Sequence, residues 1–157
     1  MKQNEIKAAI ENLIDTFLYA GKVSIELRKK GLIKEIKEDN TPVSNGDLEV
    51  NRILTEKISD LTPQIPIVSE ETSHNKSKKD LKNFWLIDPI DGTYDYINDL
   101  DEFTLNAGLI INNRAVAGII YAPAKNRLFY SYEKGCSFEI INNKHVKLSL
   151  IHISEPT

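Results

Sequence analysis

A short apolar stretch that runs straight into acid, Trp85-Leu86-Ile87-Asp88-Pro89-Ile90-Asp91-Gly92-Thr93, constrains this chain more than any other feature. Phe84 to Ile87 reads as a strand, and the strand is expected to stop at Asp88-Pro89 because proline supplies no ladder donor. Two carboxylates three residues apart then leave the end of a buried element and lead into a Gly-Thr turn. Proline limits the backbone freedom between them, and the Ile90 carbonyl adds an oxygen, so both aspartates can converge on one hard cation. Alone, Asp-Pro-Ile-Asp-Gly is equally an ordinary turn composition.

It is not alone. Ile65 to Val68 is an apolar run between Pro63 and the acidic pair Glu70-Glu71, which reads as a strand ending at those carboxylates. Ser44 can cap a helix that carries Asp47 in its first turn and Leu48, Ile53, Leu54 and Ile58 on one side. Acids therefore stand at three element ends, and parallel neighbouring strands would bring such ends together. Clustered carboxylates repel one another and are costly to desolvate, and divalent cations are the usual compensation. With no histidine or cysteine within the acidic motifs themselves, magnesium is the natural choice over zinc. The residues after Gly92 can begin a short helix through Tyr96 whose free amides would face an anion such as phosphate.

Around these motifs, Ile6, Ile10, Leu13, Phe17, Ala20, Ser24 and Leu27 recur at steps of three and four, so residues 4–30 read as one long amphipathic helix ended by Gly31. Residues 34–42 read as a charged loop and 72–83 as a polar, lysine-rich connector. Thr104 to Ile111 and Ala115 to Tyr121 flank Asn112-Asn113-Arg114 as a hairpin, and Arg127 to Tyr132 and Ser137 to Ile141 continue the β pattern. Two helices followed by five or six strands predict an α+β layered sandwich, with the helices packed on a largely antiparallel sheet.

Composition removes whole classes of function. The charged share of 27% and hydrophobic share of 41% suit a globular domain, and 20 basic against 23 acidic side chains lack the basic surplus a nucleic-acid binder needs. The longest apolar runs fall far short of the roughly 20 residues that span a bilayer. Charges at Lys2, Glu5, Lys7, Glu11 and Asp15 leave no signal-peptide core. The expected location is the cytoplasm, with the inner membrane surface as the one place a peripheral visit would be made. Cys136 is the single cysteine, which excludes an internal disulfide. His74, His145 and His152 sit in polar or atypical surroundings and are weak evidence for any site.

Three motifs in order, Asp39-Asn-Thr-Pro-Val-Ser-Asn-Gly-Asp47, Val68-Ser-Glu70-Glu71 and Trp85 to Thr93, resemble the lithium-sensitive, magnesium-dependent phosphomonoesterases of the inositol monophosphatase superfamily. Glu102-Phe-Thr-Leu-Asn106 and Tyr121-Ala-Pro-Ala-Lys-Asn126 are most similar to its CysQ branch, the 3'(2'),5'-bisphosphate nucleotidases. The resemblance runs from about residue 5 to residue 140, and it implies the sugar-phosphatase type of sandwich. It also implies that Glu70, Asp88 and the Ile90 carbonyl hold a first magnesium, and that Asp88 and Asp91 hold a second. Asp47 would pair with the Thr93 hydroxyl and, with Glu70, help activate the attacking water. Glu70, Ile90, Asp91, Gly92 and Thr93 would contact the substrate, the Gly92 and Thr93 amides holding phosphate oxygens. The implied substrate is a small phosphorylated molecule, adenosine 3',5'-bisphosphate, cleaved to AMP and phosphate. An inositol monophosphatase or related sugar phosphatase stands as the alternative, and a metal-binding module without turnover as another.

Two departures matter. Tyr94-Asp95-Tyr96 stands where CysQ-like proteins usually have Lys-Glu-Phe, and packing in the core is the expected role of the tyrosines. The resemblance further implies a C-terminal α/β half that supplies another aspartate and most nucleoside contacts, and this sequence stops before it. Residues 1–148 are thus expected to form the metal-binding phosphatase domain. Ile151-His-Ile-Ser-Glu-Pro-Thr157 does not look like the family's continuation, so 149–157 is expected to be an atypical tail from truncation or a frameshift. One apolar face of the sheet should then lack cover, which favours association, and the 157 residues alone should turn over weakly or not at all.

Overall fold

The computed structural model describes residues 1–72 and 81–148. Helix α1 (Gln3–Lys30) presents Ile6, Ile10, Leu13, Phe17 and Ala20 along one buried stripe, and Gly31, at a φ of 96°, ends it. A short antiparallel pair follows, β1 (Lys34–Ile36) with β2 (Pro42–Ser44). The expected loop over 34–42 is thus a hairpin. Its first strand is wholly exposed, and nothing in the apolar pattern signals a strand that buries nothing.

Helix α2 (Asn45–Leu61) starts at Ser44, whose hydroxyl accepts from the Asp47 amide while the Asp47 carboxylate accepts from the Ser44 amide, a reciprocal capping box. Val50, Leu54 and Ile58 face inward, but Leu48 is 49% exposed, so the buried stripe is rotated from the one expected. Asp47 and Asn51 occupy buried positions on it instead, which a purely apolar count overlooks.

Strand β3 (Ile67–Ser69) pairs in parallel with β4 (Phe84–Asp91), in the register Ile67 to Trp85 and Ser69 to Ile87. From β4 the sheet continues antiparallel through β5 (Thr104–Ile111), β6 (Arg114–Ala122), β7 (Arg127–Glu133), β8 (Cys136–Ile141) and β9 (Lys144–Lys147), seven strands in sequence order. The described strands are more than the five or six expected because β1, β2 and β9 are only three or four residues long and carry no alternating apolar pattern. The hairpin between β5 and β6 turns at Asn112 and Asn113, both with positive φ, the twist that two-residue hairpins favour.

Strand β4 also runs past its expected stop. It reaches Asp91 because a bulge between Asp88 and Asp91 takes Pro89 out of the ladder with β5. After it, α3 (Thr93–Ile97) forms the short helix expected. Its Tyr96 is fully buried and donates to the Ser24 carbonyl at 2.6 Å, whereas Tyr94 is 69% exposed and does not pack in the core. Helices α1 and α2 cover one face of the sheet, where Trp85, Ile87, Leu105, Leu109, Ile119 and Leu128 meet them. Burying such a side chain fully stabilises the fold by about 1.5–3 kcal/mol. The expected α+β sandwich is what forms, two helices on a mostly antiparallel sheet. The connector tip 73–80 and the tail 149–157 lie outside the described residues.

Candidate metal and phosphate site

The site gathers at the one parallel junction among the described strands. Because β3 and β4 run together, their C-terminal ends lie side by side, and the Glu70 amide donates to the Ile87 carbonyl at 3.1 Å. Glu70 leaves β3 exactly one step past the last paired residue, and Asp88 follows Ile87 on β4.

Asp88 is the electrostatic centre. Its Oδ1 is buried with no hydrogen-bond partner among the described residues. Burial, then a hydrogen bond shared with Glu70, then the charges of Glu70, Asp91 and Glu71 push its carboxyl up to about 7. An unpartnered buried carboxylate oxygen amid like charges is costly as protein alone, and a cation resolves it. No three acidic, histidine or cysteine side chains among the described residues form a ready-made cage. The candidate donors are instead carboxylates at two strand ends plus a carbonyl, an all-oxygen set of the kind that suits a small hard cation. The residues present fit the metal that the sequence implies.

Asp47 approaches from α2, fully buried. Its Oδ2 accepts from the Ser44 amide at 2.8 Å and the Ser44 hydroxyl at 2.5 Å, and its Oδ1 lies 2.9 Å from Thr93 Oγ1. The Thr93 hydroxyl also lies 3.1 Å from the Ile90 carbonyl. It carries one proton, so donating it to Asp47 leaves that carbonyl's oxygen free to serve as a ligand. The Ile90 side chain itself is core.

Gly92, between Asp91 and Thr93, has φ 89° and ψ 41°, a left-handed conformation that costs glycine little. A Cβ there would also stand 2.7 Å from the Glu102 carbonyl. Asp91 is exposed, at the outer end of the bulge. The structure thus brings Asp47 and Thr93 into contact, pairs Glu70 with Asp88, and sets Asp91 within charge range of Asp88.

Glu71 takes a different path from the rest of the acidic set. Its side chain is 5% exposed and paired with Lys37 at 3.1 Å. Burial raises its carboxyl, while Lys37 pulls it back down. Lys37, from the turn between β1 and β2, is the participant that sequence reading missed. The two are 34 residues apart, and no periodic signal links them. Asn51, whose Oδ1 accepts from Ser69 Oγ at 2.5 Å and ties α2 to β3, did leave a trace. It is a polar residue one turn after Asp47 on the inward face. His145 lies on β9, at the opposite edge of the sheet.

The family model described as inositol monophosphatase family matches residues 5–154. The chain belongs to that family. The chain is 34% identical over 142 residues to the 3'(2'),5'-bisphosphate nucleotidase CysQ of Aggregatibacter actinomycetemcomitans, a match covering 89% of this chain and 53% of that protein. Among solved structures, it superposes on the extragenic suppressor protein suhB of Bartonella henselae with a TM-score of 0.75 at 22% identity, covering 90% of this chain and 55% of that one. CysQ of Bacteroides thetaiotaomicron gives 0.63 at 25% identity, covering 93% and 55%. The chain spans about half the length of the relatives it matches. As a member of the inositol monophosphatase family it carries the fold those structures show.

Proposed function

We propose that this chain is the metal-carrying part of a magnesium-dependent phosphomonoesterase, a 3'(2'),5'-bisphosphate nucleotidase that converts adenosine 3',5'-bisphosphate to AMP and phosphate in the cytoplasm. The observation that carries this reading is the unpartnered, buried Asp88 Oδ1 beside Glu70, three strand-end residues from Asp91. The nucleotidase assignment within the family rests on the CysQ relatives. Among the described residues, no helix is long and apolar enough to cross a membrane.

In this reading Glu70, Asp88 and the Ile90 carbonyl hold one magnesium, and Asp88 with Asp91 holds a second. Magnesium bound there would supply charge neutralisation of the phosphate, a lowered pKa for water and stabilisation of the leaving alkoxide. The chain's own residues do the rest. Asp47 accepts from Thr93, which fixes the direction of the Thr93 hydroxyl's lone pairs toward water and aligns that water for in-line attack on phosphorus. Asp47 takes up the proton through Thr93, and Glu70 assists from the end of β3. The Gly92 and Thr93 amides hold phosphate oxygens at the start of α3. Residues 1–148 form the metal-binding domain in this proposal, with 149–157 a tail outside it.

The test is magnesium titration of the chain, read by calorimetry, beside a phosphate-release assay. Magnesium binding by the wild type and its loss in Asp88→Asn are the expected results. A wild type that binds no divalent cation, or an Asp88→Asn variant that binds as well as the wild type, refutes the reading.

A further inference from the structure

A cavity of about 280 Å³ opens beside the site, lined by Asp91, Gly92, Asp101, Glu102, Thr104 and Lys125. Three of those side chains are acidic, yet each has its charge answered differently. Asp101 is bound by Arg28 at 3.1 Å, and that guanidinium is only 12% exposed and lies over the Phe103 ring. Asp91 belongs to the proposed magnesium set. Glu102 pairs with Lys125 at 2.6 Å, with side-chain exposures of 72% and 43%.

The contrast between the last pair and the first is the informative one. Arg28 is packed and its fork is committed, since it also donates to the Leu100 carbonyl at 2.7 Å. The Lys125–Glu102 pair is open to water, and ion pairs that exposed are held weakly. An ammonium is a compact charge with three rotatable donors, so it changes partners at little cost. Lys125 ends the 3-10 turn Pro123–Lys125 that follows β6, and Asn126 behind it, at a φ of 51°, turns the chain back into β7. That placement puts the ammonium at the cavity wall, with an exchangeable partner and Gly92 sharing the same space.

Resting on the phosphomonoesterase reading, the geometry points to Lys125 as a specificity-determining residue that receives a second anionic group of the substrate, one not cleaved, by exchanging Glu102 for it. A phosphate carries nearly twice the charge of a carboxylate and three acceptor oxygens, so the exchange is favourable. Glu102 then serves as a place-holder that keeps the ammonium directed at the cavity when it is empty. A substrate with a single phosphate gains nothing from Lys125.

The test compares adenosine 3',5'-bisphosphate with adenosine 3'-monophosphate as ligands of the 157-residue chain in magnesium, by titration calorimetry. Lys125→Met is expected to weaken the bisphosphate roughly tenfold, the size of one charge-assisted contact, while the monophosphate changes by less than about twofold. Lys125→Arg should keep the preference. Glu102→Gln removes the competing carboxylate and should hold the bisphosphate as tightly as the wild type or more so. Equal weakening of both ligands by Lys125→Met, or a bisphosphate bound more weakly by Glu102→Gln, overturns the role of Lys125 and leaves the phosphomonoesterase reading standing. A wild type that binds magnesium but neither nucleotide overturns the role of Lys125, whereas the magnesium titration alone decides the phosphomonoesterase reading.

Discussion

The two faces of the one sheet share strands and register but not surroundings. On the helix-covered face, the rows through Trp85, Leu109 and Ala117, and through Leu105, Tyr121 and Leu128, are buried under α1 and α2. On the other face, Leu86 pairs with Gly108, Gly108 with Gly118 and Gly118 with Ser131, and the next row runs Asp88, Asn106, Ile120, Phe129. Those rows border a groove of about 440 Å³, and Leu86 and Ile120 are 40% and 47% exposed. Asp88 stands at the groove's edge, so the face that carries the chemistry is the one that the described helices leave uncovered. Alternation along a strand decides which residues share a face, and only a second layer decides whether that face is core.

Substitutions on the two faces should therefore behave differently. Trp85→Ala, on the covered face, is expected to cost about 3–5 kcal/mol in denaturant unfolding, because it leaves a cavity and removes the indole that donates to the Thr62 hydroxyl at 2.9 Å. A cost below about 1 kcal/mol would show the helix layer to be loosely packed. Gly92→Ala, at the rim where the faces meet the site, should cost about 1–3 kcal/mol from its left-handed backbone and the nearby Glu102 carbonyl, with magnesium affinity falling in parallel.

Proton binding distinguishes the faces too. Without divalent cations, folded Asp88 keeps its proton to about 7, against 3.8 for an unperturbed carboxyl. The folded state therefore binds more protons than the unfolded chain between those values. Metal-free stability should fall as pH rises through that window, and magnesium should remove most of the fall. Unfolding midpoints at several pH values with and without a chelator check this, and Asp88→Asn should flatten the profile. The smallest effect belongs to Ile120→Ser on the open face, within about 0.5 kcal/mol of wild type. Sedimentation should show it reducing self-association, and unchanged association would mean that the groove is not sticky.

Much of this was readable from the residues. The stripe of α1, the Ser44 cap and the acids at the ends of β3 and β4 follow from periodicity and local chemistry, and so did the α+β class. What escaped depended on distant contacts or on backbone irregularity. Pro89 reads as a stop in the sequence because the bulge that accommodates it is set by the pairing with β5. In the hairpin of β1 and β2 the first strand is wholly exposed and the second buries one apolar side chain, Val43, so no alternation betrays it. Leu48 was placed inward by counting apolar residues alone, whereas Asp47 and Asn51 claim that side of α2 through polar contacts. Tyr94 and Tyr96 looked equivalent, but only Tyr96 faces the Ser24 carbonyl across the core.

One carboxylate has two employments. Asp47 closes the capping box of α2 through one oxygen and meets Thr93 through the other. An alanine there would unravel the first turn of a helix and disarm a reaction at once, so a dead Asp47 variant says nothing by itself about which task was lost. Ser44→Ala separates them, because it weakens the cap yet keeps the acid.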